Sequence, residues 1–219
     1  MNQNPHANTP LLHTGAPLAE ATGAVILLHG RGGSAEDILS LAAPLRLKGL
    51  AYLAPQAAGR TWDPNSFLAP RAENEPYLSS ALARVGAVVA EIEAAALPRD
   101  RIVIAGFSQG ACLSSEFVAS NPARYAGMIA FTGGIIGPPE QDLHHAGSLA
   151  GTPALLLSGD PDPHVPWSRV QASAAEFERM GAAVTALRYP GRPHTVSGQE
   201  LELARALLEQ ALPATRSQP

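Results

Sequence analysis

An α/β fold, with a mostly parallel central sheet and helices on both faces, is predicted by three features of the chain. Short apolar runs alternate with helix-period segments along nearly its whole length, which implies right-handed crossovers between parallel strands. The runs are continuously apolar rather than alternating with polar residues, as strands covered on both faces are. A length of 219 residues suits one domain of this class. The chain is therefore expected to be a single domain over 1–219, with its core at about 11–212 and no large lid.

The elements follow in order. The first strand is expected at Ala24 to Leu28, ending in the glycine-rich turn His29-Gly30-Arg31-Gly32-Gly33. Ser34-Ala35-Glu36-Asp37 resembles a capping box, with Ile38, Leu39, Leu41 and Leu45 as the apolar stripe of the helix behind it. A second strand is expected at Leu50 to Ala54. The connection from Pro55 to Pro76 then breaks the pattern, because links of this kind usually take about 2–6 residues. It carries Trp62, Phe67, Arg71, Asn74 and Glu75. Long structured loops above a parallel sheet commonly bind ligands, so these five are candidate substrate contacts. A helix is expected from Tyr77 to about Ala96, stopped by Leu97-Pro98-Arg99-Asp100. Strands at Arg101 to Ala105, Ala126 to Phe131, Ala154 to Leu157 and Val184 to Tyr189 follow. Helices at Ala111 to Ser120, Trp167 to Met180 and Ser197 to Leu212 lie between and after them. The first ten residues and the tail from Pro213 are polar and proline-bearing, and are expected to fray without carrying function.

Composition removes several function classes. A net charge of -4 and a pI near 6.0 supply no footprint for nucleic acid or anionic lipid. No run approaches the ~20 apolar residues of a membrane helix, and the N-terminus lacks the build of a signal peptide, so a soluble, cytoplasmic protein is expected. The one cysteine, Cys112, excludes an intramolecular disulfide and a thiolate metal site, and is expected to be a packing residue. The sequence leaves a homodimer open.

Chemistry concentrates at Gly106-Phe107-Ser108-Gln109-Gly110, a serine between two glycines where a strand passes into a helix. A turn that sharp leaves no room for side chains at 106 and 110, which glycine accommodates. Ser108 is thereby presented as a candidate nucleophile above the sheet, with the helix N-terminus beneath it. A serine hydroxyl needs a general base, and the base needs a carboxylate to fix its tautomer. After the strand at 154–157 comes Ser158-Gly159-Asp160-Pro161-Asp162, offering two aspartates; after the next comes Tyr189-Pro190-Gly191-Arg192-Pro193-His194, offering the base. Serine, acid and histidine thus follow in the order expected of a nucleophile elbow on an α/β sheet. The glycine-rich turn at 29–33 can aim one backbone N–H at a developing oxyanion, and the amide of Gln109 can supply a second.

Other histidines and glycines fit blander roles. The turn at 29–33 lacks the lysine and spacing of a phosphate loop. His29 suits a packed, hydrogen-bonded position, His144 and His145 a solvated loop, and His164 a loop residue beside the acid. No metal site is expected.

Taken together, the His29-Gly30-Arg31-Gly32 turn, Gly106 to Gly110, Gly159 to Pro166 and His194 resemble the phospholipase/carboxylesterase family of α/β hydrolases, which includes acyl-protein thioesterases, over about Leu11 to Leu212. The resemblance implies the α/β-hydrolase fold and a catalytic triad of Ser108, Asp162 and His194. The family's Gly-x-x-Asp-x-x-Val block, matched by Gly159, Asp162 and Val165, selects Asp162 over Asp160. It also implies an oxyanion hole at the backbone of Arg31 and Gln109, a small-molecule ester as substrate, and no cofactor. Small to medium acyl esters are expected, with thioester or lysophospholipid-type acyl hydrolysis as the alternative and a silent, ligand-binding fold as a remote one. Arg31 replaces the leucine typical of the thioesterases, and the Trp62 to Phe67 and Asn74-Glu75-Pro76 segments look like those of a bacterial subgroup. A charged residue at 31 is expected to favour polar or anionic substrates.

Overall fold

A computed structural model describes residues 4–213. Its strands are β1 (Leu11–Gly15), β2 (Gly23–Leu28), β3 (Leu50–Pro55), β4 (Ile102–Phe107), β5 (Gly127–Phe131), β6 (Pro153–Asp160) and β7 (Ala183–Pro190). They form one sheet in the order β1-β3-β2-β4-β5-β6-β7, all parallel except β1, which runs antiparallel to β3. The longer helices are α1 (Ala35–Leu41), α2 (Tyr77–Ala94), α3 (Gln109–Ser120), α4 (Trp167–Arg179) and α5 (Gly198–Ala211).

The predicted mostly parallel sheet with helices on both faces is present. Every residue of β2 and β3 is buried, which explains why these runs are apolar without alternation. Successive side chains of β2 part to opposite faces. Ala24, Ile26 and Leu28 join the core under α2, α3 and α4, whereas Val25 and Leu27 join the core under α1 and α5.

Strand order also sets where a site can form. From β2 the chain moves outward to β3, then crosses back to β4 on the other side of β2. The direction of winding reverses between β2 and β4, and the carboxyl ends of such a pair diverge into a crevice. The register pairs Leu28 with Gly106, so the turn after β2 and the turn after β4 leave the sheet at one level.

Two expectations need correction. The edge strand β1 has no counterpart among the predicted strands, because Leu-Leu-His-Thr-Gly is short and most of it is only partly buried. The segment before it is also not frayed where it is described. His6 is fully buried, accepts the Ala58 N–H at Nδ1 (3.0 Å), donates from Nε2 to the Trp62 carbonyl (3.0 Å), and its own amide donates to Ser80 Oγ (2.9 Å). The rest of the expected fraying, at 1–3 and 214–219, falls outside the described residues. No helix among them is long and apolar enough to cross a membrane.

Candidate active site

Ser108 sits between β4 and α3 with φ 54° and ψ -117°. A non-glycine residue in this region carries strain of about 1–3 kcal/mol, held by the surrounding structure. Two hydrogen bonds hold it: the Ser108 amide donates to the Phe131 carbonyl (2.9 Å), and the Cys112 amide donates to the Ser108 carbonyl (3.0 Å). The flanking glycines are required by close approach. A Cβ on Gly106 would overlap the Gly110 carbonyl, and one on Gly110 would overlap the Leu28 carbonyl of the neighbouring strand.

The loops after β6 and β7 bring their side chains to this serine. His194 Nε2 is 2.9 Å from Ser108 Oγ, and His194 Nδ1 is 2.8 Å from Asp162 Oδ2. Asp162 uses its other oxygen for the main chain, accepting the amides of His164 and Val165 at 2.9 Å each. Burial alone would raise its carboxyl, but the bonds from His194 and those two amides hold it below the ordinary aspartate value. Of the two aspartates the sequence offered, Asp160 turns away and pairs with Arg188. Such a line of hydroxyl, imidazole and carboxylate can move a proton from serine to histidine while the acid holds the Nδ1–H tautomer.

The histidine loop is anchored from behind by Arg192, whose side chain is almost wholly buried. It donates to Thr132 Oγ1 (2.6 Å), the Pro193 carbonyl (2.7 Å) and the Thr195 carbonyl, and lies 3.2 Å from Glu200. Glu200 in turn closes the capping box with Ser197 that starts α5. The Arg192 bond to Thr132, 60 residues away in the chain, has no local sequence signal.

Ser108, Gln109, Gly30 and Arg31 line one cavity of about 580 Å³ together with His194. Gln109 opens α3, where an amide has no partner inside the helix. Beside Arg31 the turn is pinned, with the Gly32 amide on the Arg60 carbonyl (2.8 Å) and the Gly33 amide on the Gly30 carbonyl (3.1 Å). Both side chains point elsewhere. The Arg31 guanidinium donates to Asp63 Oδ1 (3.1 Å) and to the carbonyls of Pro64 (3.0 Å) and Asn65 (2.5 Å), so it braces the loop. The Arg31 side chain remains 45% exposed beside the cavity.

The candidate contacts from the long loop separate clearly. Phe67 lines the cavity together with Asn65 and Ser66. The other four do not. Trp62 is fully buried, its Nε1 donating to the His29 carbonyl (2.8 Å). Arg71 pairs with buried Glu116 (2.6 Å). Asn74, also buried, accepts the Asn65 amide (2.9 Å) and donates to the Ser66 carbonyl (3.1 Å). Glu75 accepts the Ser79 amide and hydroxyl at the start of α2. Each of these contacts lies within the fold and helps to shape the loop. The sequence marks the loop, and only contacts across the fold sort its residues.

His29 is packed: Nδ1 bonds the Gly30 carbonyl (2.8 Å), Nε2 accepts the Ala57 amide (3.1 Å), and burial lowers its pKa. His145 pairs with Glu116 and Glu176 instead of lying free in solvent. His164 is exposed and meets His194 edge-on at 4.9 Å between ring centroids. Cys112 lines the cavity, and burial pushes its thiol up to about 12, far from any thiolate role.

Comparison with known proteins agrees with this architecture. A family model described as Phospholipase/Carboxylesterase matches residues 12–212. A crystal structure of a phospholipase/carboxylesterase from Dyadobacter fermentans is 50% identical, covering 92% of this chain and 97% of that one, with a TM-score of 0.88. Acyl-protein thioesterase 1 of Eremothecium gossypii is 30% identical over 217 residues, covering 90% of this chain and 91% of that protein. NocK of Nocardia uniformis subsp. tsuyamanensis, named as an esterase, is 32% identical over 179 residues; the match covers 78% of this chain and 47% of NocK, about half of that relative. The chain belongs to the phospholipase/carboxylesterase family, a family of ester-bond hydrolases built on the α/β-hydrolase fold.

Proposed function

We propose that this protein is a serine carboxylesterase acting on small to medium acyl esters through Ser108, His194 and Asp162. The observation that carries the proposal is the unbroken hydrogen-bonded line from Ser108 Oγ through both His194 nitrogens to Asp162 Oδ2. His194 Nε2 takes the Ser108 proton as Oγ attacks the ester carbonyl carbon. The carbonyl oxygen becomes an oxyanion, met by the backbone N–H groups of Arg31 and Gln109. His194 then gives its proton to the departing alkoxide, leaving an acyl-Ser108 ester. Water attacks that ester with His194 again as base, and Ser108 is regenerated with the free acid.

Pro64, Asn65, Ser66 and Phe67 from the long loop and Pro163, His164 and Val165 from the loop after β6 line the cavity. An open cavity of this size suits short acyl groups. A fluorophosphonate probe is expected to add one mass increment on Ser108, and Ser108→Ala to lose ester turnover; no adduct, or unchanged turnover in the variant, refutes the assignment.

The likeness to acyl-protein thioesterase 1 favours a second reading, hydrolysis of acyl thioesters by the same groups. A p-nitrophenyl ester series run beside acyl thioesters of matched chain length separates the two. Higher kcat/KM on the esters, falling beyond about six carbons, supports the carboxylesterase; the reverse order supports the thioesterase.

A further inference from the structure

Asp63 is a carboxylate almost wholly withdrawn from water, in the loop that follows Trp62. A buried acid persists only with partners that offset its lost hydration. Here a single oxygen, Oδ1, receives Gln109 Nε2 (2.9 Å) and Arg31 Nη2 (3.1 Å). These are the two residues whose main-chain amides form the proposed oxyanion hole. They come from different turns, Arg31 after β2 and Gln109 at the start of α3. Asp63 joins them through their side chains and leaves their amides to the cavity.

The joint is stiff. The Gln109 side chain is fixed at both ends, Nε2 donating also to the Asp63 carbonyl (2.9 Å) and Oε1 accepting the Trp62 amide (3.0 Å). Thr61 Oγ1 donates to the same Asp63 carbonyl (2.8 Å), tying the loop to itself. Burial pushes the Asp63 carboxyl above the ordinary aspartate value, and the Gln109 and Arg31 contacts offset only part of that rise.

We propose that Asp63 is a positioning residue for the oxyanion hole, setting the separation and aim of the Arg31 and Gln109 amides. The proposal rests on the serine-esterase reading above. Oxyanion donors act at about 2.7–3.1 Å from the charge that develops, so a small displacement weakens the transition state while leaving the Ser108–His194–Asp162 line intact. Ground-state ester binding depends on the cavity wall and is affected far less.

The test compares the wild type with Asp63→Asn and Asp63→Ala. The measurements are kcat and KM for p-nitrophenyl butyrate, Tm, and Ki for butylboronic acid, which forms a tetrahedral adduct on the active serine. Asp63→Ala is expected to lower kcat about 10- to 100-fold. Asp63→Asn, which keeps an acceptor for Gln109 and loses the charge facing Arg31, is expected to fall between it and the wild type. In both variants KM stays within about twofold, and the boronate Ki rises by the same factor as kcat/KM falls. Adding Gln109→Ala to Asp63→Ala produces a loss well short of the product of the two single losses, because both break one network.

Unchanged kcat in both variants overturns the proposal. So does a loss that the boronate Ki fails to follow, which marks Asp63 as structural only. If Asp63→Ala does not fold, the near-isosteric Asp63→Asn decides between these outcomes. Absence of both ester turnover and a Ser108 adduct in the wild type refutes the serine-esterase reading itself, and is read before any variant is made.

Discussion

Ser108, Asp162 and His194 come together from three loops, each at the carboxyl end of a parallel strand. Replacing Asp162 by Asn keeps the shape but presents the wrong hydrogen-bonding partner to His194 Nδ1. Asp162→Asn is expected to lower kcat by about 10⁴-fold, with little change in Tm, measured on p-nitrophenyl butyrate and by thermal melting. These three residues are legible in the sequence because strand, turn and chain order all constrain them. The choice between Asp160 and Asp162 comes from family resemblance, and the structure places Asp162, not Asp160, on His194. Gln109 was legible only as a backbone donor. Its side chain, buried and bonded to Trp62 and Asp63, and the bracing roles of Arg31, Asp63 and Arg192 depend on contacts between residues distant in the chain. Nothing in local spacing announces such partners.

At the scale of elements, the elbow depends on how closely β4 and α3 approach β2. Gly110→Ala forces a methyl group against the Leu28 carbonyl and is expected to cost at least about 1–3 kcal/mol of unfolding free energy in urea titration. The loop at 134–146 is held to α3 by a different device, buried Glu116 with Arg71 and His145. Burial would raise the Glu116 carboxyl, yet the bonds from His145 and Arg71 hold it below its ordinary 4.5. The hydrogen bond to Glu116 outweighs burial at His145 and holds its pKa above its ordinary 6.5. The stabilisation from Glu116 is present above 4.5 and lost as pH falls through its lowered pKa. That from His145 is present below 6.5 and lost as pH rises through its raised one. The pair therefore contributes fully between about pH 4.5 and 6.5. In melts across pH 4 to 9, His145→Gln is expected to remove part of the wild type's decline above pH 6.5; parallel profiles contradict this. The helices were readable from periodicity and the central strands from unbroken apolar runs. The edge strand β1 and the packed segment at His6 were not, because their order comes from β3, Trp62 and Ser80 rather than from local pattern.

The whole molecule separates stability from chemistry. Two cores, one on each face of the sheet, hold the strands, while the site lies at the carboxyl edge where winding reverses between β2 and β4. Ile92→Ala, in α2, is expected to cost about 2–5 kcal/mol of stability with kcat of the folded enzyme retained. The layered α/β architecture was legible in the alternation of apolar runs and helices. Which helices cover which face was not, since that depends on strand order rather than on any one segment. Chemistry at the edge is tested most directly by rapid mixing with p-nitrophenyl butyrate, an acid quench and peptide mapping by mass spectrometry. A burst of nitrophenol, with one butyryl group on the peptide bearing Ser108, is the predicted result; turnover with the acyl group on another residue, or with no acyl-enzyme and undiminished activity in Ser108→Ala, contradicts the account.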